Sequence, residues 1–376
     1  MNKKNIDISN YKIAIVHDWL VTNAGAEKVL KSILDIFPEA DIFSLVDFLN
    51  DKDRKNILKG KYSKTSFIQK LPFSKNKFRN YLPLFPLAIE SLNLKEYDLI
   101  ISSSWAVAKG IKKDKNQLHI CYCYTPIRYA WDLYDEYTKN LKQPKKALVQ
   151  FTLKYIRNWD IKTLDRVDYF IADSIFVQER IKRIYKKESK VIYPPVNIDK
   201  FLIKEKKDNF YLTASRLVSY KKTKLIVEAF NKMPDKKLVV IGDGEEYDNI
   251  KLIAKENIQL LGYQSDTTLI KYMQNACAFV YAAVEDFGIV PIEAMCCGTP
   301  VIALNKGGTA ETVIDKETGI HFSKQRENSI IDAIKKFEEI TFNHKNISNQ
   351  MKKYSDNRFK KEFLNFIISK LDKEIT

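Results

Sequence analysis

Short apolar runs alternate with amphipathic helical stretches along almost the whole chain, and this alternation limits the possible fold more than any other feature. A first series of runs covers Ile13–Val16, Leu99–Ile101, Leu118–Tyr122 and Tyr169–Ala172. A second series covers Phe210–Thr213, Leu238–Ile241, Ile258–Leu261, Ala278–Ala282 and Pro300–Leu304. Short β-rich runs separated by helical patterns are typical of parallel sheets with crossover helices. The sequence therefore predicts an α/β protein with two doubly wound, Rossmann-like domains.

The boundary between the two series is predicted at Tyr193–Val196, where Pro194 and Pro195 interrupt any regular element. A length of 376 residues is consistent with two domains. We expect one domain over residues 1–195 and a second over residues 196–355. Residues 356–376 are expected to form a C-terminal helix that packs back on the first domain.

The positive charge is concentrated in the first half of the chain. The net charge is +16, and residues 1–200 contain 36 basic and 23 acidic side chains against 27 and 24 in the rest. Within that half, Arg54–Phe85 interleaves nine basic residues with aromatic ones, a composition that suits an anionic membrane surface. A solvated loop over a small apolar cluster fits the same pattern. No nucleic-acid-binding signature accompanies the charge, so nucleic acid is not expected as a partner.

Several classes of protein are disfavoured. No apolar run approaches the roughly 20 residues of a membrane-spanning helix, and the polar start Met1–Tyr11 does not resemble a signal peptide. Five cysteines without a Cys-x-x-Cys pair, together with four histidines, argue against a disulfide framework and a zinc site. We therefore expect a cytoplasmic protein that needs no metal.

The segment Glu285–Met295 is the strongest candidate for a ligand site. An apolar strand leads into Glu285, then into a turn at Gly288, and then into a helix that contains Glu293. In open α/β sheets, ligands bind at the carboxyl ends of the strands, and a helix N-terminus there presents peptide N–H groups. The two carboxylates are equally explained as partners of the helix dipole.

A basic cluster, Ser215–Lys222, follows the first strand of the second domain. Arg216 offers a planar fork and Lys221 a mobile charge, which together can neutralise a diphosphate. A solvated basic turn is the alternative. The glycine turns after other strands, Gly242–Gly244 and Gly307–Gly308, could bring the backbone close to a ligand, but ordinary turns are the preferred interpretation. In the first domain, the loop Tyr124–Asp132 after a strand is a candidate acceptor site.

Together these segments resemble the retaining family 4 (group 1) glycosyltransferases, which use nucleotide sugars and have the GT-B fold. Glu285 and Glu293 match the family's Glu-x-seven-Glu motif, and Ser215–Leu217 with Lys221 matches its basic clamp. Asn23–Glu27 matches the N-terminal glycine loop. His17–Leu20 and Tyr124–Asp132 are most similar to bacterial mannosyltransferases of surface-polysaccharide assembly.

The resemblance implies two Rossmann-like domains that face a central cleft, and a role for each matching residue. Glu285 would bind the donor hexose, while Arg216 and Lys221 would hold the diphosphate, and these three are assigned catalytic roles. Further donor-binding residues would be Gly25, Lys222, Asp286, Phe287, Gly288 and Glu293.

On the acceptor side, the resemblance implies roles for Tyr124 and Arg128. Relatives commonly have His at the position of Tyr124. A phenol with a reference pKa of about 10 is a poor general base at neutral pH. A phosphate oxygen of the donor could instead accept the acceptor's proton, which would leave Tyr124 a positioning role.

The activity implied is transfer of a hexose, with GDP-mannose as the best candidate donor, to a lipid-linked or polysaccharide acceptor in cell-surface glycan synthesis, such as that of lipopolysaccharide. The protein would then lie at the inner face of the membrane, in contact with it through Arg54–Phe85. Two alternatives share the sequence features: a nucleotide-sugar epimerase and a non-catalytic protein that binds sugar nucleotides.

Overall fold

The computed structural model describes residues 7–139 and 141–374, and the chain divides into two compact units. The first unit comprises Met1–Pro195 together with Phe359–Thr376, and the second comprises Val196–Arg358. Each unit contains one parallel sheet with helices in its crossover connections. The α/β class predicted from the alternating apolar runs is confirmed.

The sheet of the first unit has seven parallel strands in the order β3-β2-β1-β4-β5-β6-β7. These strands are β1 (Ile13–His17), β2 (Asp41–Ser44), β3 (Lys64–Thr65), β4 (Leu99–Ser104), β5 (Leu118–Cys123), β6 (Tyr169–Ala172) and β7 (Ser189–Val191). In the pairing of β1 with its two neighbours, His17 lies opposite Ser44 and Ser103. The chain order reverses between β1 and β4, so this pair is the topological switch point of the sheet.

The helices of the first unit cover both faces of its sheet. They are α1 (Gly25–Ile36), α2 (Asp51–Leu58), α3 (Ser74–Lys77), α4 (Phe85–Glu90), α5 (Tyr134–Thr138), α6 (Lys145–Lys162) and α7 (Ile175–Tyr185). Alternate residues of β1 belong to different core clusters, with Ile13 and Ile15 in one and Ala14 and Val16 in the other. This alternation follows from the pleat of a strand, whose successive side chains point to opposite faces.

The sheet of the second unit has six parallel strands in the order β10-β9-β8-β11-β12-β13. They are β8 (Tyr211–Ala214), β9 (Leu238–Ile241), β10 (Ile258–Leu260), β11 (Ala278–Tyr281), β12 (Val301–Leu304) and β13 (Gly319–Phe322). The helices are α8 (Thr223–Phe230), α9 (Tyr247–Ile253), α10 (Asp266–Asn275), α11 (Ile289–Cys296), α12 (Thr309–Thr312), α13 (Glu327–Glu338) and α14 (His344–Gln350). The switch point of this sheet lies between β8 and β11.

The last helix, α15 (Asp356–Glu374), packs against the core of the first unit. Phe359, Phe363, Ile367 and Leu371 recur every four residues, which places them on one face of the helix. All four are buried in the cluster that contains Ile13 and Ile15. Each such side chain contributes about 1.5–3 kcal/mol when it is fully removed from water.

Some residues of the segment Arg54–Phe85 are exposed and others are buried, so only part of it is available for the membrane contact, which stays a prediction. Arg54 is buried and donates to both carboxylate oxygens of Asp47, over 2.7 and 2.8 Å. Phe78 and Phe85 are buried in the core beside Trp19. Arg54 lies inside because a bidentate carboxylate replaces its water, and the two rings lie inside because they complete an apolar cluster.

Candidate active site

The loop after β8 carries the basic cluster to the switch point of the second sheet. It passes through a 3-10 turn at Ser219–Lys221 and enters α8 at Lys222, which caps the helix with φ of 58°. Arg216 is exposed on this loop, and its Nη2 donates to the hydroxyl of Tyr220 over 3.1 Å. The two cationic side chains assigned to the diphosphate therefore extend from one loop at a strand's carboxyl end.

The loop after β11, the strand next to β8, carries the acidic residues. Gly288 caps the N-terminus of α11 with φ of 86°, a left-handed conformation that glycine adopts without strain. A Cβ atom built on Gly288 would lie 3.8 Å from Cβ of Glu285 and 3.6 Å from Cγ2 of Thr309. The helix start is therefore adjacent to the first carboxylate of the motif.

Lys221 and Glu285 form an ion pair that connects these two loops. Nζ of Lys221 lies 2.6 Å from Oε1 of Glu285, and the side chains are 17% and 18% exposed. The same ammonium donates to the hydroxyl of Tyr281 over 3.3 Å. Partial burial strengthens such a pair relative to one in bulk water. The fold thus brings together two opposite charges that are 64 residues apart in the sequence.

Two glycines allow other loops to pack tightly behind these two. A Cβ atom on Gly308 would lie 2.1 Å from the carbonyl oxygen of Phe287, and one on Gly242 would lie 1.8 Å from that of Ser215. The N–H of Gly308 also donates to the carbonyl of Glu285 over 2.8 Å. Both glycines are therefore required for close backbone approach, a role more specific than the ordinary turns that the sequence predicted.

The remaining predicted donor residues lie on the same loop and helix. Asp286 is half-buried, and the ring of Phe287 is buried edge-to-face against Tyr354 at 5.5 Å. Phe287 can therefore offer a ligand its backbone but not its ring. Glu293 lies half-buried in α11, five residues after Gly288. The roles of these residues stay predictions. The sequence did not predict that Tyr220 and Tyr281 contact the basic side chains Arg216 and Lys221. For Tyr281, its position at the end of the strand that leads into Glu285 could have indicated this contact.

The switch point of the first sheet is built from buried polar groups. The carboxylate of Asp18 accepts four backbone N–H groups, from Trp105 to Ala108, over 2.6–2.8 Å. Burial raises the pKa of Asp18, while these hydrogen bonds oppose the change. Asp18 therefore fixes the loop that follows β4.

Tyr124 is part of a hydrogen-bonded chain at the same edge. Its hydroxyl lies 3.0 Å from the carbonyl oxygen of Ala26 and 2.9 Å from Oγ of Ser103, which in turn lies 3.0 Å from Nδ1 of His17. The Ala26 carbonyl can only accept, so the phenol donates to it, Ser103 donates to the phenol, and His17 donates through Nδ1. Burial raises the pKa of Tyr124 well above its ordinary value.

The other two predicted residues of the first unit lie in these loops. Gly25 is the first residue of α1, next to the Ala26 carbonyl that accepts from Tyr124. Arg128 is half-buried, and its carbonyl accepts from the N–H of Leu133 over 2.8 Å. The glycine loop and the acceptor loop are thus joined through one hydrogen bond, while the binding roles of Gly25 and Arg128 stay predictions.

Within the described parts of the chain, no group of three or more His, Cys, Asp or Glu side chains is placed to hold a metal ion. Over the same residues, no helix combines the length and apolar character needed to cross a bilayer.

Comparison with known proteins finds a family match for the second unit. Residues 197–358, nearly all of the second unit, match the model of the glycosyl transferases group 1. An uncharacterized glycosyltransferase of Methanocaldococcus jannaschii, MJ1178, is 32% identical over 173 residues, which cover 44% of this chain and 48% of that protein. Mouse alpha-1,3/1,6-mannosyltransferase ALG2 is 26% identical over 297 residues, which cover 67% and 69%. The match thus spans about half of the first relative and about two thirds of the second.

Solved structures match over nearly the whole chain. The lipopolysaccharide outer core galactosyltransferase WaaB has a TM-score of 0.69 at 18% identity, with 96% of this chain and 99% of that chain covered. Anabaena HepE in complex with UDP and glucose has a TM-score of 0.67 at 18% identity, with 95% and 99% covered. The second unit therefore matches the group 1 glycosyltransferases, and the chain as a whole has the GT-B fold.

Proposed function

We propose that the protein transfers a hexose from a nucleotide sugar to a lipid-linked or polysaccharide acceptor, with retention of the anomeric configuration. The observation that carries this proposal is the Lys221–Glu285 pair of 2.6 Å at the switch point between β8 and β11. Open α/β sheets bind ligands at this position. A cation for phosphate and a carboxylate for sugar hydroxyls are the two groups that a nucleotide sugar requires.

The donor would be held by both loops. An ammonium has three N–H groups, and Lys221 directs two toward Glu285 and Tyr281, so the third can donate to a phosphate oxygen. Arg216 adds a planar fork for the same diphosphate. Glu285 would accept from hexose hydroxyls, Glu293 would bind the ribose, and the peptide N–H groups after Asp286 would contact the sugar.

In the reaction, the bond between the anomeric carbon and the phosphate oxygen breaks, and a bond from that carbon to the acceptor oxygen forms on the same face. The acceptor's proton passes to an oxygen of the departing phosphate. Arg216, Lys221 and the N-terminus of α11 stabilise the charge that grows on that phosphate. Fixed protein charges supply this stabilisation in the proposal, so the reaction needs no metal.

GDP-mannose is the proposed donor. Support comes from the mannosyltransferase-like segments His17–Leu20 and Tyr124–Asp132 and from the mannosyltransferases among the relatives. The acceptor would belong to cell-surface glycan synthesis, and the enzyme would act at the cytoplasmic face of the membrane. The exposed part of Arg54–Phe85, which includes Phe73, Lys75 and Lys77, would contribute contact with anionic lipid.

The test is a panel of GDP- and UDP-sugars offered to the purified chain with and without EDTA. We expect GDP-mannose to raise the melting temperature most, because the proposed donor should bind most tightly at equal concentration. A ligand at one hundred times its Kd adds about 2.7 kcal/mol to the free energy of unfolding. Slow hydrolysis of that donor without acceptor is also expected, with α-mannose as the first product by NMR. Loss of hydrolysis in EDTA would contradict the metal-independent step.

The same panel separates the alternatives. A new sugar-nucleotide isomer formed from donor alone would indicate an epimerase. Stabilisation by a sugar nucleotide with no hydrolysis and no transfer to lipid-linked acceptors would indicate a binding protein. If a UDP-sugar stabilised the protein most and was turned over, the proposed donor would change to that UDP-sugar and the proposed glycosyl transfer would stay.

A further inference from the structure

Helix α6 carries an apolar stripe that none of the described residues, 7–139 and 141–374, covers. Leu148, Phe151 and Tyr155 are separated by three and four residues, so they share one face of the helix. Their exposed fractions are 67%, 74% and 43%. Three large apolar side chains in one row on an open surface indicate an interaction site more strongly than scattered ones do.

The adjoining face of α6 packs on the first unit. Leu153, Ile156 and Trp159 are buried, and the last two belong to a core cluster. Trp159 also donates from Nε1 to Glu90 over 2.8 Å. The apolar surface of the helix is therefore wide: one part of it builds the core, and the adjoining part with Leu148, Phe151 and Tyr155 is exposed.

The stripe's own helix and one neighbouring segment are strongly basic, while α5, which also contacts α6, carries the exposed carboxylates Asp135 and Glu136. Residues 141–159 contain five basic side chains and no acidic one, and the next carboxylate, Asp160, is buried against Lys109 at 2.7 Å. Helix α6 contacts the 3-10 helix Phe78–Leu84. That segment lies within residues 54–89, where nine basic side chains again occur without an acidic one. Leu84 and Leu87 add exposed apolar surface there, at 37% and 59%.

From this combination we propose that α6 lies in the surface of an anionic lipid bilayer, with Leu148, Phe151 and Tyr155 inserted among the headgroups. Apolar side chains on one face, flanked by lysines, are the composition of helices that lie on a membrane rather than span it. A second copy of the chain would bring the same positive charge to this face, whereas anionic lipid complements it.

Helix α6 is attached to the loop Tyr124–Asp132, so its contact with the membrane would also position this loop. This part of the inference rests on the proposed function. The guanidinium of Arg157 donates from Nε to the carbonyl of Ala130 over 2.9 Å and stacks on Trp131 at 4.9 Å. Nε1 of Trp131 in turn donates to Asp160 over 2.9 Å. Docking of α6 would therefore bring the loop Tyr124–Asp132 to the surface in which a lipid-linked acceptor is embedded.

The test is flotation of the full chain with phosphatidylcholine vesicles that contain or lack phosphatidylglycerol. We expect wild type to bind only the anionic vesicles. Leu148→Ser, Phe151→Ser and Tyr155→Ser combined should lower the partition coefficient about a hundredfold. Lys145→Gln and Lys154→Gln should each lower it about fivefold. The matched control is Leu252→Ser with Tyr263→Ser, which removes side chains 83% and 79% exposed in the second unit and should change nothing.

Three outcomes would overturn the proposal. They are unchanged flotation of the triple variant, equal binding of wild type to neutral vesicles, and dimerisation of wild type in solution that the triple variant abolishes. Circular dichroism and melting temperature check that the variants are folded. Lys221→Ala should bind the vesicles as wild type does, because Lys221 is not part of the proposed membrane surface. If wild type binds the anionic vesicles but transfers no sugar, the proposed function is rejected and the membrane surface is retained.

Discussion

The switch points of the two sheets contain polar groups of different kinds. In the second unit, Lys221 and Glu285 carry opposite charges and remain partly exposed. In the first unit, His17, Asp18 and Ser103 are fully buried, and their hydrogen bonds go to other protein groups. The same topology thus presents solvent-accessible charge in one unit and buried polar groups in the other, where among the described residues only Nε2 of His17 in this set lacks a hydrogen-bond partner.

This difference indicates a division of labour. Charged groups that keep partial access to solvent can exchange a protein partner for a ligand, whereas buried hydrogen bonds fix the loops that contain them. Under the proposed function, the second unit would therefore hold the groups that bind the phosphorylated donor. The first unit holds its acceptor loop in place through Tyr124, Ser103 and the Ala26 carbonyl.

The largest effect is expected from Lys221→Ala. Removal of the charge that stabilises the departing phosphate should lower kcat about 10²–10³-fold, similar to the loss of one oxyanion donor. Release of the nucleoside diphosphate measures the rate. The control is Lys224→Ala, because Lys224 is 47% exposed and pairs only loosely with Glu228 at 3.9 Å. If the Lys221 variant turned over donor as fast as wild type, the charge at the switch point of the second sheet would have no role in catalysis.

The next effect concerns His119, a buried histidine of the first unit outside the His17–Ser103–Tyr124 chain. Burial lowers the pKa of His119 to about 4, and its ring is bonded to Ser102 and to the Arg166 carbonyl. As pH falls from about 6.5 to about 4, His119 binds a proton in the unfolded chain but stays neutral in the folded chain. The free energy of unfolding should therefore decrease by about 3 kcal/mol.

Urea unfolding at several pH values measures this slope, with His119→Gln as the reference. The substituted protein should lose less stability between these pH values than wild type. Parallel slopes for the two proteins would mean that His119 takes up a proton in the folded state, and that the interior of the first unit tolerates charge.

Gly308→Ala should affect the second switch point through sterics alone. The new methyl group would meet the Phe287 carbonyl, so the loop with Glu285 must move, and we expect KM for the donor to rise about tenfold with a loss of about 1–3 kcal/mol of stability. Gly110→Ala is the control, since its Cβ would lie 2.3 Å from the ring of Trp159 in the first unit. It should cost stability but leave donor KM unchanged, and equal KM values for the two variants would contradict the loop's role.

The smallest effect is expected from Tyr124→Phe. Loss of the hydroxyl removes hydrogen bonds to Ser103 and Ala26, which contribute about 1 kcal/mol each, so kcat should fall less than about tenfold. The pH profile of kcat should keep its shape, because a phenol with a raised pKa is not the base. A hundredfold loss with an altered profile would instead make Tyr124 a proton acceptor.

Local features of the fold were predictable, since apolar periodicity and chain breakers act over a few residues. Leu238–Ile241 was predicted as a strand and is one, and the C-terminal helix expected over residues 356–376 corresponds to α15. The order of the strands was not predictable, because pairing depends on contacts between distant segments. The same limit applies to Arg54, Phe78 and Phe85, whose burial depends on Asp47 and on a cluster around Trp19.

The sequence by itself determined the two series of strands and helices, the order of the motifs and the residues that follow each strand. Hydrophobic periodicity, glycine and proline encode these properties locally. The tertiary structure alone decided that Lys221 meets Glu285, that Ser103 joins His17 to Tyr124, and that one apolar face of α6 stays uncovered. Such contacts depend on which strands become neighbours and which surfaces find a partner, and those outcomes minimise the free energy of the whole chain rather than of any segment.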